Sequence, residues 1–241
     1  IEAGPMVADL NGDGTKQVIV ATGCRLDTMS SVDPTVCPSS LKVFEARKTG
    51  AGLDNPPIWN VPFNFKIDSS EPFIADLDPS DSENRKAIVL GGWGANLSVV
   101  WRAATGDVVR RDFDVRTLDP TIRQDAPSVV RSSPLLADFG SGPSAVFGWM
   151  PDHNIGTDAR ISAVDLAVDM RAEEVTFSPR WTVRRNDWKS SPALLPLPGR
   201  ASPLVVVGYG IGTTSGTGNY GVCAPAAGGI VAIDADGNIA W

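Results

Sequence analysis

Histidine and cysteine, the side chains most used in metal and nucleophile chemistry, are scarce: one His153, and Cys24, Cys37 and Cys223, in 241 residues. No second histidine, nucleophile elbow or CxxC pair exists, so a Ser–His–Asp hydrolase, a zinc site and a haem attachment lack their residues. His153 reads as a loop histidine. A basic stripe is missing too: 21 basic against 28 acidic side chains leave a net charge of −7. The two arginine pairs, Arg110-Arg111 and Arg184-Arg185, are short and sit beside Asp112 and Asp187. Phosphate recognition needs a continuous basic surface, so a nucleic-acid partner is not expected. No apolar run approaches the ~18 residues of a membrane-spanning helix, so membrane insertion is not expected either. There is no initiator Met and no signal peptide; Ile1 reads as mid-sequence, and an upstream segment is expected.

Turn formers are plentiful, with 24 glycines and 19 prolines. At 42% apolar content the chain is too hydrophobic for disorder and too interrupted for a helical bundle. An internal repeat organises it. Ala3-Gly4-Pro5-Met6-Val7-Ala8-Asp9-Leu10 is echoed by Ser70-Glu71-Pro72-Phe73-Ile74-Ala75-Asp76-Leu77, by Ser132-Ser133-Pro134-Leu135-Leu136-Ala137-Asp138-Phe139, and by Ser190-Ser191-Pro192-Ala193-Leu194-Leu195-Pro196-Leu197. The four prolines stand 67, 62 and 58 residues apart. Each copy continues with a β-branched or apolar run (Val18–Val20, Ile88–Leu90, Ala145–Phe147, Val205–Val207) and a third apolar segment (Val43, Val99, Ala163, Val231). After a turn comes a closing segment that ends in Trp59, Trp181 or Trp241, with Phe113 as the candidate in the second copy.

Four short strands per copy, separated by Gly/Asn/Asp turns, spell antiparallel sheet built by repetition. Strands one and two read as near-continuous apolar runs, the pattern of strands covered on both faces. The expected fold is therefore all-β: a β-propeller of four-stranded antiparallel blades at about 1–66, 67–130, 131–187 and 188–241. The four visible blades are expected to belong to a larger ring of six to eight.

One segment carries chemistry. Asp9-Leu10-Asn11-Gly12-Asp13-Gly14-Thr15-Lys16-Gln17 places oxygen side chains at positions 1, 3 and 5, a Gly at 6, a carbonyl at 7 and an amide at 9. That spacing lets a short loop wrap a hard cation, and Ca²⁺ tolerates such flexible oxygen sets better than Mg²⁺. No distant Glu and no helical pattern accompany it, which excludes an EF-hand. Asp76, Asp78 and Asp81 form a weaker second candidate, with Pro79 where the turn glycine should be. Asp138-Phe139-Gly140 keeps only the first oxygen and the fourth copy has Pro196 there.

An apolar strand ending in Ala-Asp, a D-x-N-x-D-G loop and a β-branched strand together resemble FG-GAP/VCBS repeats, the blades of integrin-type propellers and many secreted or surface proteins. The resemblance implies side-chain ligation of Ca²⁺ by Asp9, Asn11 and Asp13 and carbonyl ligation by Thr15. The family often has Asp at the ninth position, where this chain has Gln17.

Cys24 and Cys37 bracket a polar insert and can staple it, contributing roughly 3 kcal/mol in the chain-entropy model; the alternative is two thiols. A disulfide would place the protein in an oxidising compartment, secreted, periplasmic or on the cell surface. Long connections between strands two and three (22–40 and 209–228) and a moderate one (149–160) elaborate one propeller face, where Trp93, Trp149, Tyr209 and Tyr220 are candidate anchors for a protein or glycan ligand. The expected function is a non-enzymatic, calcium-stabilised adhesion or scaffold module, alone or with other subunits of an extracellular assembly. Two enzymatic alternatives stand beside it. Val231–Trp241 resembles a blade ending of PQQ-dependent dehydrogenases, and polysaccharide lyases also occur on propellers.

Overall fold

The computed structural model describes residues 4–23, 39–46, 56–65, 67, 70–126, 128–130, 132–151, 159–185, 190–209 and 229–241. Among these the chain is all-β, with antiparallel sheets formed in the repeat order and no α-helix. Sheet 1 contains β1 (Met6–Ala8), β2 (Gln17–Thr22), β3 (Ser39–Glu45) and β4 (Trp59–Phe63). Sheet 2 contains β5 (Phe73–Ala75), β6 (Ala87–Gly91), β7 (Asn96–Arg102) and β8 (Val108–Asp114), followed by one 3-10 turn at Val115–Leu118. The short β9 (Val129–Val130) pairs with β11 of sheet 3, whose order is β10 (Leu135–Asp138), β11 (Pro143–Met150), β12 (Ala159–Asp169) and β13 (Glu174–Arg185). Sheet 4 contains β14 (Ala193–Leu195), β15 (Leu204–Tyr209) and β16 (Gly229–Ile233), with Ile239 bridging to Ile233 where a fourth strand would lie.

The period-two alternation of side chains sorts each strand between two neighbours. Ile88 and Leu90 of β6 join a core with Ile19, Leu41 and Val43 of sheet 1. Val89, between them, joins Trp101, Phe147 and Val164 in a core shared with sheet 3. On β11, Val146 turns the other way, into a third core with Ala163 of β12 and with Val205, Val207 and Ile233 of sheet 4. The sheets thus stack in chain order, and sheets 2 and 3 are covered on both faces. Each fully buried aliphatic or aromatic side chain contributes about 1.5–3 kcal/mol.

Continuous burial is observed where two faces are covered: all five residues of β6 and seven of the eight in β11 are buried. The expectation fails for β2, which alternates buried and half-buried residues, because sheet 1 has one covered face. It also fails for β1, β5 and β14, three-residue strands at sheet edges with no fully buried residue.

The repeated serines explain themselves. Ser70, Ser132 and Ser190 accept from the amides of Gly91, Gly148 and Gly208 at 3.3, 2.5 and 2.8 Å, tying each first strand to the end of its second. The next position links neighbouring sheets: the Glu71 amide donates to Ser133 Oγ at 2.9 Å and the Ser133 amide to Ser191 Oγ at 3.1 Å. The entries to β5, β10 and β14 therefore lie side by side. Proline follows at each copy, where it supplies a fixed φ and needs no donor partner.

A second contact between neighbouring sheets uses one residue of the fourth strand in each of sheets 1, 2 and 3. Trp181 donates its indole N–H to the Ala235 carbonyl of the sheet 4 hairpin at 3.1 Å. Gly237 (φ +84°) lies under the ring; a Cβ there would stand 2.8 Å from Trp181 Cβ. Trp59, opposite Val43, is buried between sheets 1 and 2. In sheet 2 the equivalent position, opposite Val99, holds Arg111 and not Phe113; its guanidinium donates to the Glu173 carbonyl of the sheet 3 hairpin at 2.8 Å. Phe113 instead stacks on Phe177 at 5.1 Å.

Candidate metal site

The Asp9–Gln17 loop joins β1 to β2 and folds around its own first carboxylate. Asp9 Oδ1 accepts from the Gly12 amide and Oδ2 from the Gly14 amide, both at 2.8 Å, and Asp13 Oδ1 accepts from Thr15 at 2.7 Å. Gly12 and Gly14 have φ of +73° and +85°, the left-handed conformation that turns amides inward at little cost only for glycine. Burial would raise the Asp9 pKa, but the Gly14 and Gly12 amides and the charge of Lys16 outweigh it and hold the carboxyl below its usual value. The loop is therefore anionic at neutral pH. Leu10 is fully buried and plugs the sheet 1–sheet 2 core beneath it. Its carbonyl accepts from the Lys86 amide at 2.9 Å, so the loop also docks on sheet 2.

Asn11 Oδ1 is buried without a hydrogen-bond partner among the described residues. A buried amide oxygen left unsatisfied costs about 1–3 kcal/mol, and a cation would satisfy it. This orphaned atom, the two carboxylates and the Thr15 carbonyl are oxygens of the type Ca²⁺ takes. Gln17 plays a different part: it is buried, and its Oε1 accepts from the Leu10 amide at 2.7 Å. Among the described residues no group of three or more His, Cys, Asp or Glu gathers as a metal cluster; this loop has only two carboxylates.

Gly12 also fills a space no other residue fits. A Cβ there would stand 1.8 Å from the Glu83 carbonyl oxygen, whereas a Cβ at Gly14 meets nothing within 4 Å. Gly14→Ala is expected to cost about 1–2 kcal/mol from backbone strain alone. Gly12→Ala should cost distinctly more, because backbone of a second loop must also move. Urea unfolding of the two variants checks the order.

The second candidate, between β5 and β6, is organised around an internal cation. Arg85, buried like Asp81, bonds it bidentately through Nε (2.9 Å) and Nη2 (2.8 Å), and its amide donates to Asp81 at 3.0 Å. These bonds, the Arg85 side chain foremost, lower the Asp81 pKa to about 2 against the opposing effect of burial. Asp78 accepts from Ser80 and, across sheets, from the Met170 amide at 3.0 Å; Asp76 is exposed. The three carboxylates thus do not converge as in a cation loop: a guanidinium supplies the positive charge. An Arg four residues after an Asp in a loop lacking its glycine was a signal available in the sequence.

Of the candidate anchors, Trp149 is corrected. It is 1% exposed, its indole N–H donates to Ser162 Oγ at 2.9 Å, and Arg160 lies 5.5 Å from its ring centroid. Arg160, fully buried, donates to Asp119 at 2.7 Å. Trp149 belongs to the core. Trp93 and Tyr209 are half-buried against the core between sheets 3 and 4, and Tyr209 covers Gly229. Tyr220, His153, Cys24, Cys37 and Cys223 lie outside the described residues. Among the described residues no helix is long and apolar enough to cross a membrane.

Comparisons with family models, curated proteins and solved structures find no match to this chain.

Proposed function

We propose that this chain is a segment of a calcium-stabilised β-propeller that serves as a non-enzymatic adhesion, interaction or scaffold module outside the cytoplasm. The observation that carries the reading is the buried, unpartnered Asn11 Oδ1 in a loop whose flanking carboxylates are already oriented by backbone amides. Stacking of four repeat sheets in chain order, with the first strands of sheets 2, 3 and 4 linked through serine hydroxyls, supports the radial arrangement. In such a ring Ca²⁺ is structural: a loop of carboxylates repels itself until an ion is bound.

The connections between second and third strands leave their sheets at the serine-capped ends, opposite the Asp9 loop. Trp93 and Tyr209 lie at that end, and a protein or glycan ligand is assigned to it. The ion would then act at a distance from recognition, by rigidifying the first sheet.

Thermal unfolding tests the metal. Millimolar Ca²⁺ at about 100 times its Kd adds about 2.7 kcal/mol, which raises Tm by about 5–10 °C for a chain of this size. EGTA should reverse the shift, and Asn11→Ala or Asp13→Ala should abolish it. An unchanged Tm would remove calcium from the proposal. Recognition is tested on arrays of extracellular proteins and acidic glycans: retention without cleavage is expected, and shortened glycan products would instead favour a lyase.

A further inference from the structure

We infer that the Asp9 loop shares its cation with the neighbouring sheet, and that Glu83, in the β5–β6 connection, supplies the third carboxylate ligand. The inference rests on the calcium reading proposed above and extends it from one loop to a junction between two sheets.

The starting point is a shortage of charge. Within Asp9–Gln17 the only carboxylates are Asp9 and Asp13. The ninth position adds none, and Gln17 turns its Oε1 inward to the Leu10 amide at 2.7 Å. Ca²⁺ takes about six to eight oxygens, and the number of charged ligands tunes its affinity, so a further acid has to come from outside the loop.

The β5–β6 connection is the segment in place to provide it. Two contacts seat the Asp9 loop there. The Lys86 amide donates to the Leu10 carbonyl at 2.9 Å. Gly12 packs so closely on the Glu83 and Asn84 carbonyls that a Cβ would stand 1.8 and 3.0 Å from their oxygens. Asn11 is the residue between those contacts, and its Oδ1 is the one buried without a hydrogen-bond partner among the described residues. The orphaned oxygen therefore belongs to the seam between the two loops, where main-chain contact brings Glu83 within a side chain's length.

The acids of this connection differ in what they already hold. Asp81 is taken up by Arg85, and Asp78 by Ser80 and the Met170 amide. Glu83 is held loosely: its side chain is 64% exposed, and its Oε2 stands 3.5 Å from an Arg85 Nε that donates to Asp81 at 2.9 Å. An exposed charge contact of that kind contributes little, so turning the carboxylate toward a divalent ion costs little. The main chain beside it is fixed, because Asp81 accepts from the Arg85 amide at its carboxylate (3.0 Å) and from the Asn84 amide at its carbonyl (3.1 Å). A fixed platform thus presents one adjustable acid to the cation loop, and the bound ion ties sheet 1 to sheet 2.

Calorimetric titration of the EGTA-stripped chain with Ca²⁺ tests this. Glu83→Gln should weaken binding about tenfold or more, with Tm in EGTA unchanged because the side chain is exposed. Glu83→Asp separates contact from field: it keeps the charge and shortens the reach, so ligation predicts a comparable loss. Glu174→Gln, which removes an exposed acid at the start of β13, should bind as the unaltered chain does. Ca²⁺ should also slow amide exchange at Asn84–Lys86 in the unaltered chain, and less so in Glu83→Gln. Equal affinity of the unaltered chain and Glu83→Gln, or full affinity in Glu83→Asp, would overturn the ligand assignment while leaving calcium in the Asp9 loop. An unaltered chain that binds no Ca²⁺ would overturn the calcium reading itself, and this inference with it.

Discussion

Arg85→Ala is expected to destabilise the fold by about 3–5 kcal/mol, since it strands a buried carboxylate without its counter-charge. Asp81 and Arg85 have side-chain exposures of 1% and 4%, so solvent cannot replace the lost partner. The guanidinium also reaches the Arg102 carbonyl at 3.4 Å, joining the β5–β6 loop to the end of β7. The double variant Asp81→Asn/Arg85→Met should recover most of the loss, because it removes both charges and keeps the volume. Equilibrium urea unfolding of the three proteins decides the matter; a double variant as unstable as Arg85→Ala would show that packing, and not charge, is at stake. The pair also has a pH signature. The Asp81 pKa falls from 3.8 to about 2 on folding, so its contribution is complete above the unfolded value and disappears as pH drops through the folded one. That interval corresponds to about 2 kcal/mol. It is smaller than the truncation cost because protonation leaves the arginine stem packed and the carboxyl in place. Unfolding stability measured between pH 5 and 2 should therefore fall less steeply in the double variant.

Trp181→Ala should cost about 3–5 kcal/mol, the usual range for removing a buried large aromatic. Its ring packs at 6.3 Å from Phe139, covers Gly237 and bonds the Ala235 carbonyl, so its removal loosens sheet 3 from sheet 4 specifically. Amide exchange should register this as early loss of protection in β15 and β16, with β6 and β7 still protected. Trp181→Phe keeps most of the packing and removes one of two donors to the Ala235 carbonyl, the other being Arg180 Nη1 at 3.3 Å, so about 1 kcal/mol or less is expected. Uniform loss of protection in all four sheets would contradict the view that this ring acts as a local dock.

Several of these features were legible as text. The apolar–Asp–Leu strand endings, the turn glycines and the β-branched runs located the first three strands of each repeat, because a half-buried strand imposes its period directly on residue type. The Asp9 loop was equally plain, since inward-turned amides demand glycine and demand it at set positions. Other features were invisible for a physical reason. Arg111 occupies a tryptophan's place in sheet 2: a guanidinium and an indole N–H both reach a hairpin carbonyl, so residue identity concealed the equivalence. Trp149 looked like a surface anchor from its position near a strand exit, but its burial depends on β9 and Arg160, contributed from elsewhere in the chain. Gln17 fits a ligand position in sequence, yet its amide satisfies the Leu10 N–H.

By itself the sequence determined an antiparallel, fourfold repetitive β chain and the backbone chemistry of one anionic loop, because strand periodicity and left-handed glycines are local properties. Tertiary structure alone decided which carboxylates remain open and which are neutralised, and which aromatics are core. Those outcomes depend on what a distant segment brings within a few ångströms, and pattern along one segment does not encode that.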